Sequence, residues 1–438
     1  LASVAKHPAS HAKSLEPPYA APLAAFLFND GATAENSTAP QDFQVVRVFY
    51  ATDRKPLAGG VPSDETHWTV FLPLWGALGG AVLLAGVAYR FPRRRRLLAK
   101  LSAAGLVLVI ALQALSFGLS RLQGTNQSAL RYGTERGNLQ YGLCEVTIPL
   151  RHEVGQLESP SLLRLELKAN PKKHLLLRNT EAREKDAYFA ELREVVDRAP
   201  NRDVLIFVHG FNTSFEKAAR RTAQIAYDVR FAGAPIFYSW PSQEKLLSYP
   251  VDETNAEWTV PHLKQFLLEV AESSDADSIN LVAHSMGNRA LTRALRELSL
   301  ELKEESRLFN QIILAAPDVD AEIFKRDIAP ALAQTGRGVT LYASSSDNAL
   351  LASKKFHGYP RAGDSGEWLV VLPGIETVDV SGIDLSLLGH GYLGENNRVI
   401  EDLHTVIEKS WPAEQRSWLR SREREGLTYW LFPPPAGE

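Results

Sequence analysis

The stretch Ile279-Asn280-Leu281-Val282-Ala283-His284-Ser285-Met286-Gly287-Asn288-Arg289 decides which fold we expect. Its first five residues are mostly apolar and predict a buried strand, whereas the residues after Gly287 predict a helix. Ala283 and Gly287 lie two positions before and after Ser285, where a sharp strand-to-helix turn leaves room only for small side chains. Such a turn lifts a serine above a sheet, so Ser285 is the candidate nucleophile. A serine that only caps the following helix is the alternative.

The rest of the chain alternates short apolar runs with amphipathic stretches, which is the pattern of a parallel sheet covered by helices on both faces. Strands are predicted at 45–51, 141–149, 163–167, 204–208, 235–240, 279–283, 312–316, 339–343 and 368–372. Helices are predicted at 216–229, 256–272, 288–304, 321–333 and 399–409, with Pro261 at a start or kink of the second. Together with the serine turn, this alternation predicts the α/β class and an α/β-hydrolase fold with a mostly parallel sheet.

The loop His209-Gly210-Phe211-Asn212 follows the predicted strand 204–208. In this fold one backbone N–H of the oxyanion hole comes from that loop, and the other from the residue after the nucleophile. Phe211 and Met286 are therefore the candidate donors, both through the main chain. We expect structural roles for His209 and His284.

A serine nucleophile needs a base, and the base needs an acid that orients it; in this fold both follow the serine in the chain. Among the downstream histidines, His390 lies in the loop-like stretch 388–392 after the last predicted strand and is preferred over His357 and His404. Asp347 follows the strand 339–343 and is the preferred acid. Asp318, after the preceding strand, is the alternative acid.

Composition narrows the classes of function. The chain has 48 Lys and Arg against 51 Asp and Glu, a net charge of −3, so no basic excess indicates a nucleic-acid partner. Cys144 is the only cysteine, which rules out a disulfide within the chain and a cysteine-based metal cluster. The predicted mechanism needs neither a cofactor nor a metal.

Two uncharged, mostly apolar runs interrupt the early part of the chain, from Thr66 to Tyr89 and from Leu101 to Ser120. Each reaches the roughly 20 residues that a helix needs to cross a bilayer. The connector from Arg90 to Lys100 contains five arginines and one lysine, and such loops remain on the cytoplasmic side. We therefore predict a transmembrane helical hairpin at 66–121, in the inner membrane, with the catalytic domain on the periplasmic side.

The hairpin is expected as an insertion within the hydrolase. Two spans return the chain to the same side of the membrane, as strands 45–51 and 141–149 require if they share one sheet; a first strand outside the sheet is the alternative. The expected organisation is a mobile leader at 1–40, a first strand region at 41–65, the hairpin at 66–121, the hydrolase domain at 122–410 and a C-terminal tail at 411–438.

Several motifs in order resemble an uncharacterised family of bacterial α/β hydrolases, a domain of unknown function. They are VFYATDR at 48–54, HGFNTSF at 209–215, YSWPS at 238–242, AHSMGNR at 283–289, AAPDVDA at 315–321 and LGHGY at 388–392. The resemblance covers residues 45–53 and about 130–410. It implies the fold and the serine but no settled substrate, and the hairpin departs from the family's pattern.

The predicted function is a membrane-anchored serine hydrolase, similar to carboxylesterases and lipases, that acts on a small-molecule or lipid ester. The alternative is a non-catalytic envelope scaffold or binding module on a hydrolase fold, with the hairpin and the Arg- and Trp-containing tail as interaction surfaces. Tyr238, Trp240, Tyr249 and Asp252 are further candidates for lining the site, although core packing accounts for them equally well.

Overall fold

The computed structural model describes residues 42–57, 130–160, 166, 169–302, 307–344, 358–381 and 396–433. The strands of this part are β1 (Phe43–Pro56), β2 (Tyr132–Pro149), β3 (Leu176–Arg183), β4 (Asp203–Val208), β5 (Ala234–Ser239), β6 (Ser278–His284), β7 (Phe309–Ala315), β8 (Gly336–Ala343), β9 (Glu376–Asp379), β10 (Arg420–Arg424) and β11 (Leu427–Leu431). Its longer helices are α1 (Lys185–Arg198), α2 (Phe215–Asp228), α3 (Tyr249–Trp258), α4 (Val260–Ser273), α5 (Gly287–Glu301), α6 (Ala329–Thr335) and α7 (Asn396–Lys409).

All described strands belong to one sheet in the order β10-β11-β9-β8-β7-β6-β4-β5-β1-β2-β3. The neighbours from β9 to β1 pair in parallel, and β2, β3 and β10 join their neighbours antiparallel. The predicted α/β-hydrolase fold with a mostly parallel sheet is therefore confirmed, as is the pairing of the first two strands.

Strand β4 lies near the middle of the sheet and is buried along its whole length. Val204, Ile206 and Val208 face the larger apolar core, which α1, α4 and α5 cover. Leu205 and Phe207 face the opposite core, together with residues of α2 and α7. Burial on both faces explains why β4 is a continuous apolar run rather than an alternating one.

The last predicted strand, 368–372, is wrong. Gly366–Trp368 forms a 3-10 turn, and the strand that extends the sheet is β9. Val370 is nevertheless fully buried, and its carbonyl accepts a hydrogen bond from Thr377 Oγ1 at 2.8 Å. The apolar run therefore packs into the core as a loop, which its composition alone does not distinguish from a strand.

Other elements differ in detail from the sequence prediction. The predicted helix 256–272 starts earlier, at Tyr249, and divides into α3 and α4 beside Pro261. The helix predicted at 321–333 contains a π-helical segment, Phe324–Ile328. Strand β3 and helix α1 were not predicted, and β10 and β11 add the segment expected as a tail to the edge of the sheet.

The predicted transmembrane hairpin, residues 66–121, lies outside the described residues, as do the leader 1–40 and most of the predicted strand 163–167. Among the helices that the structure does describe, none is both long enough and apolar enough to span a bilayer.

Candidate active site

Ser285 occupies the turn between β6 and α5, at the carboxyl edge of the parallel strands. Its φ is 49°, in the left-handed region that non-glycine residues rarely adopt and that is commonly retained at functional sites. Hydrogen bonds hold the turn. Among them, the Ser285 N–H donates to the Ala315 carbonyl at 3.0 Å, and Asn288 Nδ2 donates to the Ser285 carbonyl at 3.1 Å. The backbone therefore makes the sharp, strained strand-to-helix turn that the sequence predicts at Ser285.

The two glycines of this region lie in close contact with backbone atoms of neighbouring segments. A Cβ on Gly287 would lie 2.3 Å from the His209 carbonyl oxygen, so no larger residue fits two positions after the serine. A Cβ on Gly210 would lie 3.0 Å from the His284 carbonyl oxygen and 3.2 Å from Ser285 Cβ. The loop after β4 and the serine turn are therefore in direct contact, as the sequence predicts.

The two predicted oxyanion donors are available in this arrangement. Phe211 is half-buried in the loop that touches Ser285, and Met286 is fully buried at the start of α5. Within the described residues, neither backbone N–H donates a hydrogen bond to a protein acceptor. Both can therefore donate to an oxygen bound beside Ser285.

His209 has a structural role. Its ring stacks on Trp240 at 5.0 Å between ring centroids, and the Trp240 indole N–H donates to the His209 carbonyl at 2.7 Å. Burial, together with the nearby charge of Arg54, lowers the pKa of His209 to about 3. A group with so low a pKa is too weak a base to accept the serine proton at neutral pH.

Asp318 lies next to the serine turn, and its N–H donates to the Ser285 carbonyl at 3.2 Å. Among the described residues, three polar side chains lie beside its buried carboxylate. Arg361 Nε lies 3.1 Å and Arg289 Nη2 lies 3.6 Å from Oδ1, and the Tyr249 hydroxyl donates to Oδ2. Arg289 also donates from Nε to the Asp318 carbonyl at 2.7 Å.

Helix α3 joins this cluster to the loop that contains Phe211. The Tyr249 ring packs edge-on against Phe211 at 5.3 Å between centroids. One turn later, Asp252 accepts hydrogen bonds from the Ser242 hydroxyl at 2.5 Å and from the Asn212 N–H at 3.4 Å. Burial raises the pKa of Asp252. Tyr249 and Asp252 are thus at the site, whereas the sequence left them as lining candidates.

Arg54, Arg289 and Arg361 were not among the predicted site residues. The Arg54 side chain is fully buried at the end of β1 and donates to the Thr213 carbonyl at 2.6 Å and to the Ser239 hydroxyl at 2.9 Å. The motif at 48–54 contains this arginine, but a motif does not reveal a contact to a residue 159 positions away.

The predicted base His390 and the predicted acid Asp347 both lie outside the described residues, as does His357. Strand β8, which precedes Asp347, ends at the same edge of the sheet as β6, and so does β9, which precedes His390. His404 is partly buried in α7, with its Nδ1 2.6 Å from the Val229 carbonyl oxygen.

The family described as alpha/beta hydrolase of unknown function (DUF900) matches residues 184–409. An esterase structure from Rhizomucor miehei is 12% identical at a TM-score of 0.31 and covers 64% of this chain and 81% of its own. Carboxyl esterase 2 from Tuber melanosporum is 11% identical at a TM-score of 0.29, covering 62% of this chain and 82% of its own.

A putative hydrolase of the alpha/beta superfamily from Xanthomonas campestris is 15% identical at a TM-score of 0.25 and covers 48% of this chain and 99% of its own. Likenesses at these TM-scores say nothing about activity. No curated protein matches the chain.

Proposed function

Because the chain belongs to the family of α/β hydrolases of unknown function, we propose that it is a serine hydrolase that cleaves an ester through an acyl-enzyme, as carboxylesterases and lipases do. One observation carries the proposal: Ser285 has a φ of 49° in a strand-to-helix turn that touches the loop of Phe211. The strained turn would place the serine hydroxyl beside the N–H groups of Phe211 and Met286.

In the proposed reaction His390 removes the proton from Ser285 Oγ, which bonds to the carbonyl carbon of the ester. The N–H groups of Phe211 and Met286 stabilise the resulting oxyanion, each by roughly 3–4 kcal/mol. The bond to the alcohol oxygen then breaks, and His390 donates its proton to that oxygen. A water molecule deprotonated by His390 attacks the acyl carbon. The bond from that carbon to Ser285 Oγ then breaks, the acid is released, and His390 returns its proton to Ser285 Oγ.

We assign the orienting acid to Asp347 and give Asp318 a positioning role. The carboxylate of Asp318 already has Arg361, Arg289 and Tyr249 as neighbours, and its N–H holds the Ser285 carbonyl. These contacts join three loops around the serine. They support Asp318 as the group that fixes the shape of the site. The orienting acid is then Asp347, which follows β8 in the sequence.

We also propose that residues 66–121 anchor the enzyme in the inner membrane and that the catalytic domain lies in the periplasm. The support is the pair of apolar runs and the arginine-rich connector between them. Reporter fusions at the C-terminus and within residues 90–100 test this arrangement. A cytoplasmic C-terminus would contradict it.

A fluorophosphonate probe tests the mechanism directly because it reacts with activated serines. We expect the full-length protein to be labelled at Ser285, and Ser285→Ala to lose labelling. Ser299→Ala is the matched control. Ser299 lies in α5, the helix that follows Ser285, and its hydroxyl donates to the Arg296 carbonyl of the same helix at 2.8 Å. Absence of labelling in the folded wild type, or equal labelling of Ser285→Ala, would refute the mechanism and favour a non-catalytic binding module.

A further inference from the structure

The chain segment that contains the predicted transmembrane hairpin, residues 66–121, begins and ends at the edge of the sheet that carries Ser285. Strand β1 runs parallel to β5 with Thr52 opposite Ser239, and it continues beyond β5 to Pro56. Pro56 pairs with Tyr132 in β2, and the Leu57 N–H donates to the Arg131 carbonyl at 2.8 Å. The chain therefore leaves and re-enters side by side at the carboxyl edge of the parallel strands.

This exit point is close to the nucleophile. In the order β1-β5-β4-β6, three strand spacings separate β1 from the strand that ends at Ser285. At roughly 4.8 Å each, these spacings amount to about 14 Å across the sheet. The residues beyond Thr52 project about another 13 Å past the end of β5.

The residues on either side of the insertion, 54–57 and 130–136, pack against the elements that form the site. They are called the base of the insertion below. Arg54 donates to the Thr213 carbonyl at 2.6 Å, two residues beyond Phe211. On the returning strand, the Thr134 carbonyl accepts a hydrogen bond from Gln243 at 2.8 Å. Arg136 donates to Asn255 of α3 at 2.7 Å and lies over the Trp258 ring at 5.0 Å. These contacts fix where the insertion leaves relative to the site.

Two apolar side chains are exposed beside this base. Leu247 is 97% exposed and Val251 is 49% exposed, and they lie four residues apart where α3 begins. Tyr249, between them, points inward to Phe211 and Asp318. Glu244, whose carboxylate lies 3.6 Å from Arg54 Nη1, is only three residues before Leu247, so the Cα atoms of Glu244 and Leu247 are within about 11 Å of each other.

Chain length limits how far the membrane can be from this surface. The first apolar run begins at Thr66, nine residues beyond Leu57. Nine fully extended residues reach at most about 32 Å. The second run ends at Ser120, ten residues before Leu130, which gives a limit of about 36 Å. The carboxyl edge of the sheet is thereby tied to the bilayer, whereas the opposite edge is not.

We propose that this edge docks on the lipid bilayer that residues 66–121 enter, with Leu247 and Val251 at its surface, and that the substrate is an amphiphilic ester carried by that bilayer. The docking surface is defined by Lys55, Leu57, Arg131, Leu247 and Val251. An amphiphile leaves its apolar chains in the bilayer while its ester reaches Ser285. The substrate class rests on the proposed serine hydrolase function, and the docking orientation rests on the proposed membrane anchor at 66–121.

Fluorescence quenching by lipids tests the orientation. The only natural cysteine, Cys144, is buried, so Leu247→Cys gives a single accessible thiol for an environment-sensitive fluorophore. The full-length protein is reconstituted in vesicles of phosphatidylethanolamine and phosphatidylglycerol, with or without a spin-labelled lipid. Leu300→Cys is the matched control, because Leu300 is 80% exposed near the end of α5, which runs about 22 Å away from Ser285. We expect the spin-labelled lipid to quench the probe at position 247 and not the probe at position 300.

Equal quenching at both positions, stronger quenching at position 300, or none at either would overturn the orientation. For the substrate class, hydrolysis of a long-chain nitrophenyl ester in the vesicles is divided by hydrolysis of water-soluble nitrophenyl acetate. Leu247→Asp is expected to lower this ratio about tenfold and Leu300→Asp to leave it unchanged. An unchanged ratio in Leu247→Asp, in protein that the fluorophosphonate labels at Ser285, would refute this inference alone. Absence of Ser285 labelling in the folded wild type would refute the proposed function instead.

Discussion

The N–H of Asp318 donates a hydrogen bond to the carbonyl of Ser285 at 3.2 Å, which joins the loop after β7 to the turn that carries Ser285. The carboxylate of the same residue lies 3.1 Å from Arg361 Nε and accepts a hydrogen bond from Tyr249. One aspartate therefore ties the turn, the loop at 358–364 and helix α3 together. A residue with these contacts acts on the shape of the site as a whole.

Asp318→Asn and Asp347→Asn should fail in different ways. Asp318→Asn leaves the buried Arg289 and Arg361 without their shared anion, so we expect the free energy of unfolding to fall by about 3 kcal/mol. Asp347→Asn is expected to lower the rate of ester hydrolysis by about 10⁴-fold with little change in stability. Urea unfolding and steady-state kinetics of the two variants separate these effects. A stable Asp318→Asn protein with a 10⁴-fold rate loss would make Asp318 the acid.

The two glycines at the serine turn predict graded effects. Gly287→Ala would place a Cβ 2.3 Å from a backbone oxygen that cannot move independently, so we expect the turn to be displaced and Ser285 labelling to be lost. Gly210→Ala meets its closest neighbours at 3.0 Å, which a shift of a few tenths of an ångström relieves. We expect this protein to fold normally and to react with fluorophosphonate about tenfold more slowly. Equal reactivity of the two variants would mean that the turn tolerates displacement.

The sequence predicted the serine turn because its determinants are local. A buried strand, a small residue on each side of Ser285 and the start of a helix lie within eleven consecutive residues. The contact of the turn with the loop of Gly210 followed from the expected strand order, since parallel strands bring their carboxyl ends to one edge. The fold and the turn that carries Ser285 could therefore be predicted from pattern and topology.

The contacts around Asp318 could not be predicted from the sequence in this way. Arg361 contacts Asp318 from a loop, and a loop has no periodic sequence pattern from which it could be predicted. Tyr249 contacts it from a helix whose predicted start, at 256, was several residues too late. Such contacts depend on how loops meet in space, which spacing along the chain does not encode. The same limit explains the misplaced strand at 368–372, because an apolar run is buried equally well in a loop.

His152 predicts a loss of stability at alkaline pH. Burial lowers its pKa, but hydrogen bonds with Asp228 and Glu158 outweigh that effect and raise the pKa to about 9, from 6.5 in an unfolded chain. The stabilisation is complete below about pH 6.5 and is lost as pH rises to about 9, amounting to roughly 3 kcal/mol. Urea unfolding at about pH 7 and pH 9 should show this decrease, and His152→Gln should abolish it. A similar decrease in His152→Gln would assign the effect to another group.

A buried carboxyl pair at the opposite edge of the sheet predicts a stabilising substitution. Asp203 Oδ1 and Glu408 Oε1 lack hydrogen-bond partners within the described residues. Burial, and then the charge of Asp203, raises the pKa of Glu408 to about 7 from 4.5.

A raised carboxyl pKa means that stability present below about pH 4.5 is lost as pH rises through about 7, where Glu408 ionises beside Asp203. Glu408→Gln removes that charge, and we expect the free energy of unfolding near pH 8 to increase by about 1–2 kcal/mol after allowance for partial exposure. Near pH 4 the variant and the wild type should be equally stable. Glu401→Gln, which changes an exposed glutamate of the same helix α7, should have no effect at either pH. A destabilised Glu408→Gln near pH 8 would instead mean that the ionised carboxylate is compensated by its surroundings.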